Sequence, residues 1–211
     1  MCGRFTLDAS NKALNDHYGT HEKLALKSRF NVAPNTYCPI VRLHEDQRIL
    51  ISSYWGLVPH WARGDIKVKP INAKAETVKD KPYFRYAYKH QRCLVPATGY
   101  YEWKGEEGKK QPFYIKPAGA DIFSFAGLWE TWEKGEEPLT SFTIITTDSS
   151  EQLTDIHNRM PVIIDPENYD GWLVEGDASL LSPSKDEFEF YKVSTYVNKP
   201  TNEGRDLINP V

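Results

Sequence analysis

Short apolar segments separated by polar turns run along most of this chain of 211 residues, and they predict many short β-strands. Residues 39–43 and 48–54 predict one hairpin, joined by a polar turn at residues 44–47. The charged residues 105–111 predict the loop of a second hairpin. Further strands are predicted where β-branched and aromatic residues gather, at residues 93–96, 99–103, 112–116, 122–129, 141–147 and 191–195.

Helices are predicted to be few and short. Residues 9–18 form the first, with Asp8 or Ser10 as its N-cap and Gly19 as its stop. Residues 82–90 begin with a proline, which helices accept in their first turn. Two more short helices are predicted at residues 149–153 and 166–172. Many strands with few helices predict a single α+β domain over residues 1–211, with mostly antiparallel sheets.

Composition narrows the class of protein. Hydrophobic residues make up 40% of the chain and aromatic residues 13%, which is too much for a disordered protein and enough for one sizeable core. The three cysteines, Cys2, Cys38 and Cys93, lie too far apart for a disulfide framework or a zinc site. We therefore expect no metal and no cofactor. We also expect Cys38 and Cys93 to be buried and inert in apolar strands.

No segment approaches the roughly 20 apolar residues that a membrane span requires. The first residues also lack the apolar run of a secretion signal. We therefore expect no membrane association and a cytoplasmic protein in a reducing, intracellular compartment.

The formal net charge of −3 hides a strong asymmetry. Residues 60–93 carry nine Lys and Arg against three acids, whereas residues 130–177 carry twelve acids against two basic residues. Aromatic residues such as Trp61 and Tyr86 stand among the cations of the first segment, and this combination is typical of surfaces that bind single-stranded nucleic acid. The alternative, that both segments are ordinary solvated surface, stays open.

The cysteine at position 2 offers unusual chemistry. Its small side chain permits removal of Met1, which would leave Cys2 with a free α-amine beside its thiol. An aldehyde that meets this pair forms a Schiff base with the amine, and the thiol then closes a five-membered thiazolidine ring. Terminal nucleophiles with a built-in amine are a known catalytic device. The alternative is that Cys2 is an incidental second residue.

Three further polar residues stand in segments where a core would be apolar. They are Asn72, Glu102, which lies between large aromatic residues, and His157, which follows a predicted short helix. The setting of Glu102 suits its carboxyl to acid/base work. Each of these residues could instead have a purely structural role. Asn72 could cap a turn, Glu102 could face solvent from a strand, and His157 could be a histidine whose hydrogen bonds are all made within the fold. We expect Glu76 to be a structural ion-pair partner.

An ordered series of motifs covers essentially the whole chain. They are MCGRF at residues 1–5, RFNVAP at 29–34, WGLVPHW at 55–61, INAKAET at 71–77, RCLVP at 92–96, GYYEW at 99–103, IHNRMP at 156–161, and VST at 193–195 followed by VN at 197–198. Together they resemble the SRAP family (SOS response-associated peptidase), whose members process abasic sites in DNA. The resemblance implies the SRAP fold, with mostly antiparallel sheets around an open, barrel-like core and a few short flanking helices.

The resemblance implies an abasic-site sensor that binds single-stranded DNA. The amine and thiol of Cys2 would capture the aldehyde of the ring-opened abasic sugar as a thiazolidine, a covalent DNA–protein crosslink. By motif match, Asn72 would orient the amine or the sugar, Glu102 would shuttle protons, and His157 would assist ring opening and reversal of the crosslink. The Schiff-base stage also implies lyase activity, and the family's peptidase label implies a hydrolase.

The resemblance also implies contacts with the DNA. Arg4 would meet a phosphate, and Asn31, Trp61 and Arg159 would line the site. Lys74 stands where the family commonly has arginine, so the charge is kept but bidentate phosphate geometry is lost. We expect a monomer whose partner is single-stranded DNA with abasic sites, associated with the nucleoid when DNA is damaged.

Two other functions stay open. Cys2, His157 and Asn72 have the residue types of a cysteine peptidase, but residue types without geometry are weak evidence. The basic, aromatic segment also fits a single-strand-binding module that forms no covalent bond.

Overall fold

The computed structural model describes residues 2–64, 66–106 and 108–211, and within that part of the chain the strands form two sheets. The strands are β1 (Phe5–Leu7), β2 (Arg29–Val32), β3 (Tyr37–His44), β4 (Gln47–Trp55), β5 (Asn72–Lys74), β6 (Arg92–Ala97), β7 (Gly99–Lys104), β8 (Gln111–Pro117), β9 (Phe123–Trp132), β10 (Leu139–Asp148), β11 (Arg159–Pro161), β12 (Ile163–Ile164) and β13 (Phe188–Lys192). The α-helices are α1 (Asn11–Tyr18) and α2 (Arg85–His90). Short 3₁₀ turns lie at Pro166–Asn168, Ala178–Leu181, Thr195–Asn198 and Arg205–Ile208, and a π-helical turn lies at Gly171–Glu175.

The larger sheet closes on itself. Its order is β11-β10-β4-β3-β6-β9-β12, and β9 also pairs with β10, so that β10, β4, β3, β6 and β9 form a ring. The smaller sheet has the order β13-β8-β7-β1-β2. Among the described strands, only the pairings of β10 with β4 and with β5 are parallel. The predicted α+β class with mostly antiparallel sheets is therefore confirmed, and the ring is its barrel-like part.

Aromatic packing joins the two sheets. Phe5 of β1 packs against Trp55 and Phe125 of the larger sheet, at ring-centroid distances of 5.2 and 5.8 Å. Trp55 in turn stacks on Phe142 at 6.2 Å. All four side chains are fully buried, and burying a large apolar side chain contributes about 1.5–3 kcal/mol. Because Phe5 lies three residues after Cys2, this packing fixes the amino-terminal segment between the sheets.

The elements with strong local signals are confirmed. Helix α1 begins after Ser10, whose hydroxyl accepts the N–H of Ala13 at 3.1 Å, and it ends at Gly19, which has a left-handed φ of 68°. The β3–β4 hairpin turns at Glu45 and Asp46, with φ values of 48° and 63°. Cys38 and Cys93 are buried free thiols, as expected, and burial raises the pKa of Cys38 to about 12.

Other predicted elements are wrong in extent or type. The helix predicted at residues 82–90 begins only at Arg85, and residues 82–84 before it form a turn. Residues 149–153 belong to a series of turns rather than a helix, and the Ser150 carbonyl accepts both the backbone N–H of Thr154 at 3.1 Å and its hydroxyl at 2.9 Å. The helix predicted at 166–172 divides into a 3₁₀ turn and a π-helical turn.

The final strand was predicted three residues too late along the chain. It spans Phe188–Lys192 rather than residues 191–195. Ser194 begins a 3₁₀ turn, because its hydroxyl accepts the N–H of Tyr196 at 3.2 Å. In the described part of the chain, no helix has the length and apolar character needed to cross a bilayer.

Candidate active site

The amino-terminal segment lies beside strand β7. Phe5 pairs with Tyr100 in the ladder, and the N–H of Tyr101 donates to the Arg4 carbonyl at 2.9 Å. Side chains alternate along a strand, so Tyr100 and Glu102 share the face that looks toward the main core. Tyr100 is fully buried and Glu102 is 4% exposed. The pairing therefore brings Cys2 and Gly3 alongside the carboxylate of Glu102.

Cys2 is completely buried in this setting. Burial raises the pKa of its thiol well above the usual range, and the negative charge of Glu102 raises it further. A hydrogen bond from the Arg4 backbone acts in the opposite direction and is the weaker influence. The sulfur is therefore held as a neutral thiol at neutral pH, next to a carboxylate that it senses electrostatically.

Asn72 reaches Cys2 from the other sheet. Strand β5 runs parallel to β10, with Asn72 opposite Ile144, at the point where β4 has ended. The side-chain amide Nδ2 donates to the carbonyl oxygen of Cys2 at 2.8 Å. Its Oδ1 is buried and, within the described residues, accepts no hydrogen bond. An acceptor is thus available beside the backbone of Cys2.

His157 follows the turns that end at Ile156. The backbone N–H of Arg159 donates to His157 Nδ1 at 3.0 Å. A backbone N–H can only donate, so Nδ1 is the acceptor and the neutral ring carries its proton on Nε2. Nδ1 also lies 3.2 Å from the Arg159 carbonyl, and the fixed N–H of Arg159 favours the tautomer whose proton is on Nε2.

One cleft of about 420 Å³ collects these groups, and we call it the Cys2 cleft. Its lining residues are Gly3, Arg4, Glu102, Trp103, Lys110, His157 and Asn198. The structure thus brings together the four predicted reactive residues. Glu102 and His157 line the cleft, Cys2 precedes Gly3 in its wall, and Asn72 is hydrogen-bonded to Cys2.

Arg4 is held by its neighbours at the edge of this cleft. Its Nη1 donates to Asn31 Oδ1 at 2.8 Å and to the Val197 carbonyl at 3.0 Å. Its guanidinium carbon lies 5.8 Å from the ring centroid of Trp103. Burial lowers the pKa of Arg4, but arginine stays charged at neutral pH. A fixed cation therefore stands next to Cys2.

Asn31 does not line the cleft as the sequence predicted. It is 1% exposed, and its amide Nδ2 donates to the carbonyls of Val197, Lys199 and Asn202 at 3.3, 3.1 and 2.8 Å. A buried asparagine with its groups engaged in this way has no surface to offer to DNA. We propose instead that Asn31 acts on DNA binding indirectly, by holding Arg4 in position.

We expect Asn31→Ala to destabilise the fold and to displace Arg4. Loss of the buried amide leaves several carbonyls unsatisfied, which costs about 1–3 kcal/mol. Chemical denaturation should show a free energy of unfolding lower by that amount. Asn209→Ala, at an exposed position, should change it by no more than about 0.5 kcal/mol. Equal effects of the two substitutions would contradict this role of Asn31.

Arg159 takes part in an ion-pair cluster. It bonds Glu76 at 2.6 and 3.0 Å and Asp148 at 2.7 Å, and its side chain is 11% exposed. The hydrogen bond from Arg159 lowers the pKa of Glu76. The expectation that Glu76 is a structural ion-pair partner is confirmed. Two carboxylates already balance the charge of Arg159, so its contact with DNA stays a proposal.

Lys74 and Trp61 lie at the surface. Lys74 is exposed, two residues after Asn72 on the same face of β5. Trp61 is 46% exposed, in the loop that leaves β4 and returns at β5. Lys134 Nζ donates to the Trp61 carbonyl at 3.0 Å, and Trp132 Nε1 donates to that of Ala62 at 3.0 Å. Strand β9 and the turn after it thus hold an exposed aromatic ring in place.

Sequence reasoning missed several residues of the Cys2 cleft. Trp103, Lys110 and Asn198 line it but were not predicted as site residues. The charged loop at residues 105–111 was the available signal for Lys110. Asn198 belongs to the last motif of the family resemblance, and it reaches the cleft because the 3₁₀ turn Thr195–Asn198 packs there. Within the described residues, no group of three or more His, Cys, Asp and Glu side chains is arranged to hold a metal ion.

Comparison with known proteins gives a consistent result. The family model for SOS response associated peptidase (SRAP) matches residues 1–200. The chain is 39% identical to the abasic site processing protein YoqW of Bacillus subtilis, over 99% of each chain. It is 33% identical to the abasic site processing protein YedK of Escherichia coli, over 87% of this chain and 85% of that one. A crystal structure of a protein from Bacteroides thetaiotaomicron superposes with a TM-score of 0.89 over 100% of both chains, at 28% identity.

Proposed function

The chain belongs to the SOS response associated peptidase family, and on that premise we propose that it processes abasic sites in single-stranded DNA through a covalent link to Cys2. The observation that carries the proposal is the meeting of Cys2, Asn72, Glu102 and His157 at one cleft. The relatives named as abasic site processing proteins support the substrate.

The chemistry requires removal of Met1, so that Cys2 carries a free α-amine. The amine adds to the aldehyde carbon C1′ of the ring-opened sugar, and loss of one water molecule gives a Schiff base. The thiol then adds across the C=N bond. Sulfur bonds to C1′, the thiol proton is transferred to nitrogen, and a thiazolidine results. The two steps involve no net oxidation or reduction.

Each neighbouring residue has a role in this scheme. Asn72 fixes the Cys2 carbonyl, and its buried Oδ1 accepts an N–H of the α-amine. The thiol stays protonated until it attacks, so its proton needs a carrier, and the Glu102 carboxylate lies next to it. His157 donates from Nε2 to the sugar oxygen during ring opening. The same group assists reversal of the crosslink.

The DNA strand is proposed to lie across the surface that surrounds Cys2. Arg4 and Lys74 supply charge for phosphates, Trp61 supplies a ring for stacking, and Arg159 contributes from its ion-pair cluster. We propose that one chain is sufficient for this activity, so that the protein acts as a monomer. We propose that the protein does this in the cytoplasm, on nucleoid DNA that is damaged.

The Schiff-base stage also allows strand scission, so lyase activity is part of the proposal. A cysteine peptidase is less well supported. Burial keeps the Cys2 sulfur protonated, and Asn72 bonds Cys2 rather than orienting His157.

The direct test mixes the purified protein with single-stranded DNA that carries one abasic site, followed by a denaturing gel. We expect a shifted band that survives denaturation and is absent with the same DNA lacking the abasic site. Absence of such a band would overturn the covalent proposal. Salt-sensitive binding alone would then favour a single-strand-binding module, and peptide cleavage without DNA would favour a peptidase.

A further inference from the structure

A second cavity adjoins the Cys2 cleft. Its volume is about 440 Å³, and it shares Trp103, Lys110 and Asn198 with the cleft. The rest of its lining comes from the loop between β7 and β8, at residues 108–111, and from Thr195. Because the two cavities share three residues, they lie side by side, and the second begins near the Cys2 cleft. We call the second cavity the hairpin groove.

Hydrogen bonds fix the walls of the hairpin groove. The indole Nε1 of Trp103 donates to Asn198 Oδ1 at 2.7 Å. The side-chain amide of Gln111 donates to the Val193 carbonyl at 2.8 Å. These bonds tie the β7–β8 hairpin to the segment that follows β13. The groove is therefore a formed feature of the fold.

The lining of the hairpin groove is cationic and aromatic. Lys109 and Lys110 contribute exposed ammonium groups, and Trp103 is a partly exposed ring. Among the described residues that line it, none is an aspartate or a glutamate. A charged groove beside an aromatic ring is the arrangement that holds a single nucleic-acid strand without reading its sequence.

We propose that the hairpin groove binds the sugar–phosphate backbone of the nucleotides on one side of the abasic site. Lys109 and Lys110 contact phosphates, and Trp103 supplies a stacking surface for a base. This inference rests on the proposed function, because it takes the abasic sugar to lie in the Cys2 cleft. It extends the DNA surface to a loop outside the basic segment of residues 60–93.

The test compares Lys109→Gln/Lys110→Gln with Lys23→Gln/Lys27→Gln. The second pair removes the same charge from exposed positions that line neither cavity. Non-covalent affinity is measured against salt with single-stranded DNA that carries a tetrahydrofuran analogue of the abasic site, which has no aldehyde to react. The plot of log affinity against log salt concentration has a negative slope, and its magnitude should fall by about 1.4 in the first variant. Each of the two lost phosphate contacts on a single strand contributes about 0.7. The control pair should leave the slope unchanged.

Shortened DNA gives the second arm. Oligonucleotides that end just before or just after the abasic site remove one flank each. The loss of slope caused by Lys109→Gln/Lys110→Gln should vanish with one of these two oligonucleotides and persist with the other. A slope loss equal in both lysine pairs, or a deficit independent of the flank, would overturn the inference. Failure of the wild-type protein to crosslink would instead overturn the proposed function, because the affinity measurement needs no covalent step.

Discussion

Replacing Cys2 by serine is expected to abolish the adduct that survives denaturation, while leaving a Schiff base that borohydride can trap. Serine keeps the α-amine, so attack on the aldehyde still occurs. Its hydroxyl is a far weaker nucleophile than a thiol, so ring closure fails. Without borohydride, the band that survives denaturation should be lost, because the sulfur that bonds to C1′ is gone.

Two matched variants sharpen this test. Cys38→Ala removes another buried thiol of the same chain and should leave the crosslink intact. An uncleaved residue before Cys2 keeps the thiol but converts the Cys2 α-amine to an amide, so the thiazolidine cannot close and the stable adduct should not form. A stable adduct from the serine variant, or from the extended protein, would mean that Cys2 does not act through this pair of groups.

Glu102→Gln is expected to slow crosslinking by about 10²–10⁴-fold, the usual contribution of a positioned acid or base. The substitution preserves size and removes the carboxylate beside the neutral Cys2 thiol. Single-turnover crosslinking gives the rate. Non-covalent affinity, measured with DNA that carries a tetrahydrofuran analogue of the abasic site and therefore has no aldehyde, should be nearly unchanged by the same substitution. This split between rate and affinity is the signature of proton transfer.

The control for Glu102 is Glu133→Gln, which alters an exposed carboxylate and should change neither quantity. Equal loss of rate and affinity in Glu102→Gln would assign this residue to the structure of the cleft. A rate like that of the wild type would remove Glu102 from the chemistry.

The sequence predicted those elements whose signals are local. Helix α1 has its cap at Ser10 and its stop at Gly19, and the β3–β4 hairpin has its own polar turn. Strands β1 and β5 were not predicted, because each has only three residues, too few for a periodic pattern. Each is a strand because it pairs with a distant partner, β7 for β1 and β10 for β5.

The candidate site shows the same division. Residue type and motif predicted Cys2, Asn72, Glu102 and His157 as a group, although up to 155 positions separate them along the chain. Which other residues reach the cleft depends on their burial in the fold, and the sequence alone does not give it. Asn31 has the residue type of a DNA contact but supports Arg4 from inside the fold. Lys110 and Asn198 enter the site only through the packing of a hairpin and a turn.

The most direct test of the central claim is the intact mass of the product formed with abasic single-stranded DNA, followed by peptide mapping. We predict the mass of the protein without Met1 plus that of the DNA, less one water molecule. The modification should map to the peptide that begins with Cys2, and it should resist borohydride, because a thiazolidine has no C=N bond to reduce. A product that retains Met1, or a modification at any other residue, would contradict capture of the abasic aldehyde by Cys2.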